Sequence, residues 1–544
     1  MPPWLRFAFA ALILGPGIAG AAPRVGYIFP PGGQRGTTVK VTFSGSELAG
    51  ISGVYTTGKG LTATVEPGSS AAACTIDVTI AKDAPLGIQQ IRCYGPAGLS
   101  NARFFDVGQW PETAQPQPAG PPLRISPPIT INGRIASQST RNGVEFHAHA
   151  GEKLVCEIQG LRILGQINDS WLKGYLEIVD SAGHVLLSSD GTPDDYYRWD
   201  PVVEFTAPKE GDYTVWFRDL NWRGAPMAVY RLTVAAAPQA FGIFPLGGKR
   251  GTTEAIHFSG PFLKDAVRTV AIHSDAPDTL EVAYVSAAGE SNERPFQASD
   301  LPNVLQAPGN NSRETAQQVA YPCVVNGRIE KDGLRDYYRF KLDKKEHVVL
   351  EAWSRRLGTP MDPQITLYNQ QNKPIGSDDD SRGRDSRLER DLQPGEYTVC
   401  IRDIDERGGI AYPYRLFVAP QQPRFTLVAT PDAPVLKPGA STVISVKAER
   451  TDGFDGDIAV TVAGLPKGAT ASALTIPKGK QEGKLTVTTT AESAAGLYNL
   501  TISGVGKAGT AELHAIARTS ETYNIQGTAF QRDLIGPILM VSAK

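Results

Sequence analysis

The 544-residue chain has little of what metal centres, disulfide scaffolds and catalytic sites are usually made from. It contains five cysteines and seven histidines, and no two of the cysteines stand in a CxxC spacing. Such a chain is not held together mainly by disulfides, and it carries no sequence signature of structural zinc. The motifs GxSxG, HExxH and GxxxxGK[ST] are absent too. The sequence therefore predicts that the protein is not an enzyme.

The chain also has no large excess of positive or negative charge. The 54 Lys and Arg residues nearly balance the 56 Asp and Glu residues, which argues against nucleic acid as a partner. Beyond the N-terminus, no apolar run approaches the roughly 20 residues that a transmembrane helix needs. The N-terminus itself has Arg6, an apolar run over 7–14 and the small residues Ala19-Gly20-Ala21. These features predict a signal peptide over 1–22 and a secreted protein of the periplasm, cell surface or extracellular space.

Glycine and proline are abundant, with 56 and 41 residues spread between short apolar runs. Within one such run, Val39, Val41 and Phe43 alternate with polar residues. A period of two is typical of half-buried strands, and helical periodicity is nearly absent. Because one hydrophobic core rarely serves more than ~250–300 residues, we predict an all-β chain of several domains, arranged as an elongated array of β-sandwiches.

Two units, A and B, are repeated in the order A-B-A-B. The A unit begins with IFPPGGQRGTTVKVTFSGSEL at Ile28 and again with IFPLGGKRGTTEAIHFSGPFL at Ile243. The second copy is shorter, which predicts the loss of a hairpin. The B unit repeats DYTVWFRD (212–219) as EYTVCIRD (396–403), and it repeats the following YRLTV as YRLFV. Similarity over such long stretches indicates duplicated modules.

The second B copy carries a specific family resemblance. Its motifs are DYYRFKLDKKEHVVLEAW, MDPQITLYNQQNKPIGSDDD and DSRLERDLQPGEYTVCIRDIDERGGIAYPYRLFV, in this order over 336–418. They resemble the bacterial pre-peptidase C-terminal (PPC) domain family. The first B copy shares the ending GDYTVWFRDLNWRGAPMAVYRLTV and is similar to the family as a divergent member. The A units resemble immunoglobulin-like modules of the IPT/TIG class. The resemblance implies a β-sandwich or jelly roll in each unit.

A fifth unit, beginning near Arg424, resembles bacterial immunoglobulin-like modules with a seven-strand sandwich. The predicted order is a signal peptide (1–22), IPT/TIG-like module 1 (23–110), a stiff proline-rich linker (111–122), divergent PPC-like module 2 (123–237), shortened IPT/TIG-like module 3 (238–300), PPC-like module 4 (301–420), immunoglobulin-like module 5 (423–519) and a C-terminal tail (520–544). Ile538 to Val541 in the tail is a candidate strand.

Two groups of residues are candidates for metal binding. The aspartates of one loop in module 4 are Asp378, Asp379, Asp380 and Asp385. Clustered carboxylates on a flexible turn suit Ca²⁺, and the PPC resemblance implies that ion as a candidate. Arginines interleave with these aspartates, however, so a charge-paired solvated loop is the alternative. His147 and His149 project from one face of a strand, but no third ligand is evident in the sequence. No cofactor is required by any motif.

Module 2 is rich in aromatic residues, of which Tyr196, Tyr197, Trp199 and Trp222 are candidates for ligand binding. Exposed aromatics on a rigid sandwich contact sugars or protein surfaces; the alternative is that they cap the core. Cys74 and Cys93 share the side-chain parity of core residues on two successive runs, and they are a candidate disulfide. Asp219 and Asp403, each after an alternating strand, are interpreted as turn-forming residues.

Two functional hypotheses follow. In the first, the protein is a monomeric, non-catalytic module array for extracellular or cell-surface binding or adhesion, with a protein or a polysaccharide as ligand. In the second, it is an accessory or targeting component associated with a secreted peptidase, because the PPC family typically lies C-terminal to a protease. No protease sequence precedes the modules here, so such a peptidase would be a separate protein.

Overall fold

The structure, a computed structural model, describes residues 21–163, 166–167, 170–191, 200–525, 528–534 and 537–542. The signal-peptide prediction lies almost wholly outside these residues. Within them, every regular element is a strand except the 3-10 turn Arg355–Leu357, and each module has its own hydrophobic core. The predicted all-β, multidomain fold is confirmed. No helix in this part of the chain is long and apolar enough to cross a membrane.

Module 1 is a sandwich of two sheets. The strands, in spatial order, are Arg24–Phe29, Thr38–Ser46, Ala73–Ile80 and Leu61–Val65 in one sheet, and Gly32–Gln34, Arg103–Gly108, Gly87–Gly95 and Gly53–Thr56 in the other, where Gly98–Leu99 also pairs with Gly87–Gly95. Alternate residues of each sheet, such as Val41 and Phe43, are buried between them.

Modules 2 and 4 share one topology, as duplication predicts. One sheet of module 2 has the strands, in spatial order, Glu112–Ala114, Ile129–Arg134, Val229–Ala235, Lys153–Gln159 and Val202–Thr206. The other sheet has Leu123–Arg124, Asn142–Ala148, Gly211–Asp219, Gly174–Asp180 and Val185–Ser189. Two short strands, Gln166–Ile167 and Ser170–Trp171, pair with each other. One sheet of module 4 has the strands, in spatial order, Asn303–Leu305, Cys323–Arg328, Pro413–Pro420, Glu346–Trp353 and Arg387–Leu392. The other sheet has Gln317–Gln318, Asp336–Leu342, Gly395–Asp403, Pro363–Tyr368 and Pro374–Asp378.

Part of the predicted linker belongs to module 2. Glu112–Ala114 pairs in parallel with Ile129–Arg134 as an edge strand. The Glu112 carboxylate accepts from buried Arg231 at 2.6 Å, which fixes this strand in place. Residues 111–122 are therefore not simply an exposed spacer.

Module 3 is a smaller version of module 1. Its strands are Gly242–Phe244, Thr252–Ser259, Ala266–Ile272 in one sheet, Gly247–Lys249, Arg294–Ser299, Thr279–Val282 in the other, and the hairpin Val285–Ser286 and Gly289–Glu290. It has no counterpart of the module 1 strands Gly53–Thr56 and Leu61–Val65, so the lost hairpin is seen in this fully described module. Its reduced core is completed by Leu357 from module 4.

Module 5 is built around one large sheet. The strands are Thr470–Ala471, Glu482–Thr488, Ser441–Thr451, Arg424–Thr430, Ala511–Ile525, Thr501–Ala508, Ile458–Ala463 and Leu474–Ile476, with Thr528–Leu534 paired to Ala511–Ile525, and a second sheet of Val435–Leu436, Ile538–Val541 and Gly496–Asn499. The candidate tail strand is present as Ile538–Val541, and Leu539 and Val541 are part of the module 5 core.

The chain folds back on itself, and its modules do not simply follow one another as an elongated array would. Arg92 of module 1, whose side chain is 4% exposed, pairs with Asp432 of module 5 at 2.8 Å. Nearby, the Tyr55 hydroxyl donates to the Asn499 side chain at 2.9 Å. Because a buried guanidinium needs a partner, this ion pair favours contact between the first and last modules. The arrangement is less extended than the repeats alone predict.

Asp219 and Asp403 each organise the turn after a strand, as expected. The buried Asp403 carboxylate accepts from the backbone N–H groups of Asp362, Asp405 and Arg407 and from the Arg407 guanidinium. The Asp219 carboxylate likewise accepts from the backbone N–H groups of Lys173, Asn221 and Arg223 and from the Arg223 guanidinium. Both aspartates are turn-forming residues of the Asx type.

Replacing Asp403 is therefore expected to destabilise module 4. In Asp403→Asn, an amide group faces backbone donors that had a carboxylate, and the free energy of unfolding should fall by about 2 kcal/mol. Urea denaturation of the full chain measures this loss. Asp405→Asn is the matched control, because the Asp405 side chain is 63% exposed; an equal loss there would contradict the role of Asp403.

Candidate functional site

A cleft lies where modules 1, 2 and 3 meet. Its volume is about 380 Å³, within the roughly 300–1,000 Å³ typical of ligand pockets. Module 1 contributes residues 86–88 and 106–110, module 2 contributes three strands of one sheet, and module 3 contributes Glu281 and residues 290–293. The cleft exists only because the three modules are joined.

Arg231 of module 2 forms the floor of this cleft and joins it to module 1. Its side chain is 2% exposed and lies 3.0 Å from the Asp106 carboxylate of module 1. It also donates to both oxygens of Glu112, at 2.6 and 2.9 Å, and to Asn132 at 3.0 Å. Burial raises the pKa of Asp106 despite the neighbouring guanidinium. The joint between modules 1 and 2 is therefore a buried charge network.

A second arginine fixes another part of the cleft wall. Arg162 donates to Glu157 at 2.6 Å and to Asp200 at 3.2 Å, and Asp200 also accepts from the backbone N–H groups of Leu161 and Arg162. Gln239, at the start of module 3, donates to Glu157 at 3.1 Å. This wall is held in place before any ligand arrives.

Gln109 and Trp110 attach module 3 to the rim. The Gln109 side chain donates to the Glu290 carbonyl at 2.9 Å and accepts from the Glu290 N–H at 3.0 Å. The half-buried Trp110 indole lies against Gly289, where a Cβ would stand 3.2 Å from the ring. Gly289 also has a φ of +116°, so glycine suits this position for both reasons.

The cleft carries more negative than positive charge. Its acidic lining residues are Asp106, Glu157, Glu281, Glu290 and Glu293, and its basic ones are Arg162 and Arg231. Partial burial raises the pKa of Glu293, and Glu290 and Asp106 add to this shift, although the Glu293 side chain stays accessible. Amide and hydroxyl groups from Gln159, Asn292, Thr130 and Thr233 lie among these charges. Such a surface repels anions and offers many hydrogen-bonding groups to a neutral polar ligand.

Sequence reasoning did not identify Trp110 or Glu293, although a signal for Glu293 is present. The A units close with Ser100-Asn101-Ala102-Arg103 and Ser291-Asn292-Glu293-Arg294. Both asparagines make the same two backbone hydrogen bonds, to Val25 and to Ala240. The change from Ala102 to Glu293 inside this repeated motif places a carboxylate in the cleft.

Of the four aromatic residues predicted to bind ligand, Tyr196, Tyr197 and Trp199 lie outside the described residues. Trp222 is 43% exposed. Its ring stacks on the Arg218 guanidinium at 4.3 Å, and Tyr175 packs on the same guanidinium at 4.1 Å. Trp222 is not part of the cleft lining.

The four aspartates of the calcium prediction play different parts in their loop. Asp385 is buried and accepts from the backbone N–H groups of Ser354, Arg355 and Arg356. Asp378 accepts from the Arg387 N–H at 2.6 Å, while Asp379 is half-buried and Asp380 is exposed. In the part of the chain that the structure describes, the three potential ligands that lie within reach of one another are instead His147, His149 and Glu210.

Cys74 and Cys93 both lie in the core of module 1, on strands of opposite sheets. This is the orientation that the disulfide prediction requires, but the structure holds them as free thiols. Burial raises the pKa of Cys93 to about 11. Both residues therefore act as small apolar core residues here.

No known protein-family profile matches the sequence, and no curated protein matches it. Among solved structures, the chain is similar in part to the PPC domain of a Bacillus anthracis collagenase, with 16% identity over 20% of this chain and 99% of that chain (TM-score 0.17). The secreted serine protease VesC of Vibrio cholerae matches at 7% identity over 38% and 48% (TM-score 0.15). The Bacteroides ovatus glucan-utilization protein SGBP-B, solved with a mixed-linkage heptasaccharide, matches at 10% identity over 72% and 73% (TM-score 0.14). TM-scores this low carry no argument about fold or function.

Proposed function

We propose that the protein is a non-catalytic extracellular binding protein and that it binds a neutral polysaccharide in the cleft between modules 1, 2 and 3. The observation that carries this proposal is the lining of the cleft, which combines an indole ring with a dense set of carboxylate, amide and hydroxyl groups. The signal-peptide pattern at the N-terminus supports the extracellular location.

The lining suits sugars for three physical reasons. Sugar hydroxyls donate to carboxylates such as Glu293 and accept from amides such as that of Gln159. The Trp110 ring offers an apolar face to the C–H groups of a pyranose. The surplus of negative charge disfavours sulfated or uronic-acid polymers, so a neutral glycan fits best.

The construction of the cleft also favours binding. Arg231 joins modules 1 and 2, and Gln109 joins modules 1 and 3. Walls that are already in place lose little conformational entropy when a ligand arrives. A rigid, open cleft of this kind suits one segment of a long polymer.

The test is calorimetric titration of the full chain with oligosaccharides of neutral β-glucan and galactomannan and of acidic alginate. Trp110→Ala should weaken binding of the neutral oligosaccharide about tenfold or more, because an aromatic anchor is lost. Glu293→Ala, which copies Ala102 of module 1, should weaken it as well.

Trp216→Ala is the matched control, because Trp216 is a half-buried tryptophan of module 2 that stacks with Arg141 away from the cleft. Its affinity should stay unchanged. If the control loses as much affinity as Trp110→Ala, or if alginate binds as well as β-glucan, the cleft is not the site.

A further inference from the structure

Two imidazole rings lie side by side on an exposed face of module 2. His147 is on the strand Asn142–Ala148, and His149 directly follows this strand. Their rings are 5.6 Å apart, and their side chains are 52% and 76% exposed. Alternate residues of an extended chain point to one side, which explains why both rings face the same solvent.

Glu210 supplies the third group. It lies just before the strand Gly211–Asp219, which pairs antiparallel with Asn142–Ala148. Its Oε1 atom is 3.7 Å from His147 Nε2 and 3.9 Å from His149 Nδ1. Tetrahedral zinc with ligand distances of about 2.0–2.2 Å separates its ligand atoms by about 3.3–3.6 Å. Small side-chain rotations therefore bring these three atoms to ligating distance.

A fourth residue orients His147. The Asp212 carboxylate lies 2.9 Å from His147 Nδ1. A carboxylate that accepts from Nδ1–H holds the imidazole in the tautomer whose Nε2 lone pair is available to a metal. In the structure, this Nε2 atom is the one that approaches Glu210.

Module 4 shows what these positions contain when no such cluster is present. By strand register, Lys341 replaces His147 and Glu396 replaces Asp212, and Asp343 and Pro394 replace His149 and Glu210. Lys341 pairs with Asp343 at 3.7 Å. A need for cross-strand charge pairing explains a cation at position 147, but it explains neither the second imidazole nor Glu210. The cluster is thus a specific property of module 2.

We propose that module 2 binds a Zn²⁺ ion through His147 Nε2, His149 Nδ1 and the Glu210 carboxylate, with Asp212 as a positioning residue. Imidazole nitrogens favour zinc over calcium and magnesium, which prefer oxygen ligands. Three protein ligands leave a fourth position for water or for a donor atom of a bound partner. The site is independent of the glycan cleft.

The experiment is titration of the full chain, produced without a polyhistidine tag, with Zn²⁺ and separately with Ca²⁺. We expect one zinc ion per chain and no binding of Ca²⁺ at the same concentrations. His147→Ala and His149→Ala should abolish the binding, and Asp212→Asn should weaken it roughly 10–100-fold. With Co²⁺ in place of Zn²⁺, the visible absorption of a nitrogen-ligated ion should appear and should be lost in the same variants.

His347→Ala is the matched control. His347 lies between Asp391 at 2.8 Å and Glu389 at 3.4 Å, so it has carboxylate neighbours but no second imidazole. This variant should bind zinc normally. Absence of saturable zinc binding, unchanged binding in both module 2 histidine variants, or loss of binding in His347→Ala would each overturn the proposal. Far-UV circular dichroism confirms that these surface variants stay folded.

Discussion

Asp336→Asn is expected to stabilise module 4 by as much as about 4 kcal/mol at pH 7. Asp336 is completely buried, and its partners are neutral. The Tyr414 hydroxyl donates to it at 2.7 Å, and the Asn311 amide donates at 3.1 Å. Burial raises the pKa of Asp336 to about 7 from 3.8, and the charge of Glu330 adds to this shift while the hydrogen bonds oppose it. A shift of about three pKa units corresponds to about 4 kcal/mol.

The effect should depend on pH with a definite sign. Between about pH 4 and pH 7, folded Asp336 binds a proton that the unfolded chain has lost. The stability of the wild-type module therefore falls as the pH rises through this range and levels off above it. An asparagine has no such proton, so this contribution disappears in Asp336→Asn. The two proteins should have similar stability at pH 4 and should differ most above pH 7.

Module 2 already has an asparagine at the position equivalent to Asp336, and the reverse substitution there is the control. Its equivalent residue is Asn142, whose amide donates to the Tyr230 hydroxyl at 2.7 Å and to the Arg134 carbonyl at 3.0 Å. Asn142→Asp should destabilise module 2 at pH 7 by about 3 kcal/mol, because a carboxylate would then face that carbonyl. Urea unfolding at pH 4, 6 and 8 measures both variants. A constant difference between wild type and Asp336→Asn across this range would contradict the account.

Local patterns in the sequence were sufficient to predict the all-β fold. Alternation at Val39, Val41 and Phe43 predicted strands, and the shared endings of the B units predicted two modules of one topology. The turn role of Asp219 and Asp403 also follows from position alone, because an Asx turn involves residues two to four places away. These properties depend on neighbours along the chain.

The candidate sites depend on contacts between distant residues, which a single sequence does not reveal. Glu210 completes the histidine cluster only because of the register between two strands. The cleft needs Trp110 and Glu293 from different modules, and the contact between Arg92 and Asp432 joins the first module to the last. Differences between the repeated units do mark some of these residues in the sequence, since His149, Glu210 and Glu293 all differ from their counterparts.

Arg231→Met should lower the free energy of unfolding by about 3–5 kcal/mol and loosen the joint between modules 1 and 2. Methionine fills much of the space of the arginine side chain, but it leaves Asp106 and Glu112 without their cation. Asp106 is 5% exposed, and a carboxylate left buried and unpaired is costly. Urea unfolding of the full chain measures the loss, and limited proteolysis of the connection at 109–111 reports the loosening.

The triple variant Arg231→Met/Asp106→Asn/Glu112→Gln separates charge from packing. In this variant no carboxylate is left buried without its cation, which is the main cost of Arg231→Met, so it should recover most of the lost stability. The joint between modules 3 and 4 shows that a neutral residue can replace Asp106, because Gln297 takes its place there beside a retained arginine. Arg415 donates to Gln297 at 2.6 Å and to Asn303 at 2.8 Å, and burial lowers the pKa of Arg415 to about 9. The groups that accept directly from Arg415 are thus neutral, and the charge of nearby Glu254 opposes the effect of burial. If the triple variant is as unstable as Arg231→Met, the arginine stabilises its joint through hydrogen bonds and packing, and not through its charge.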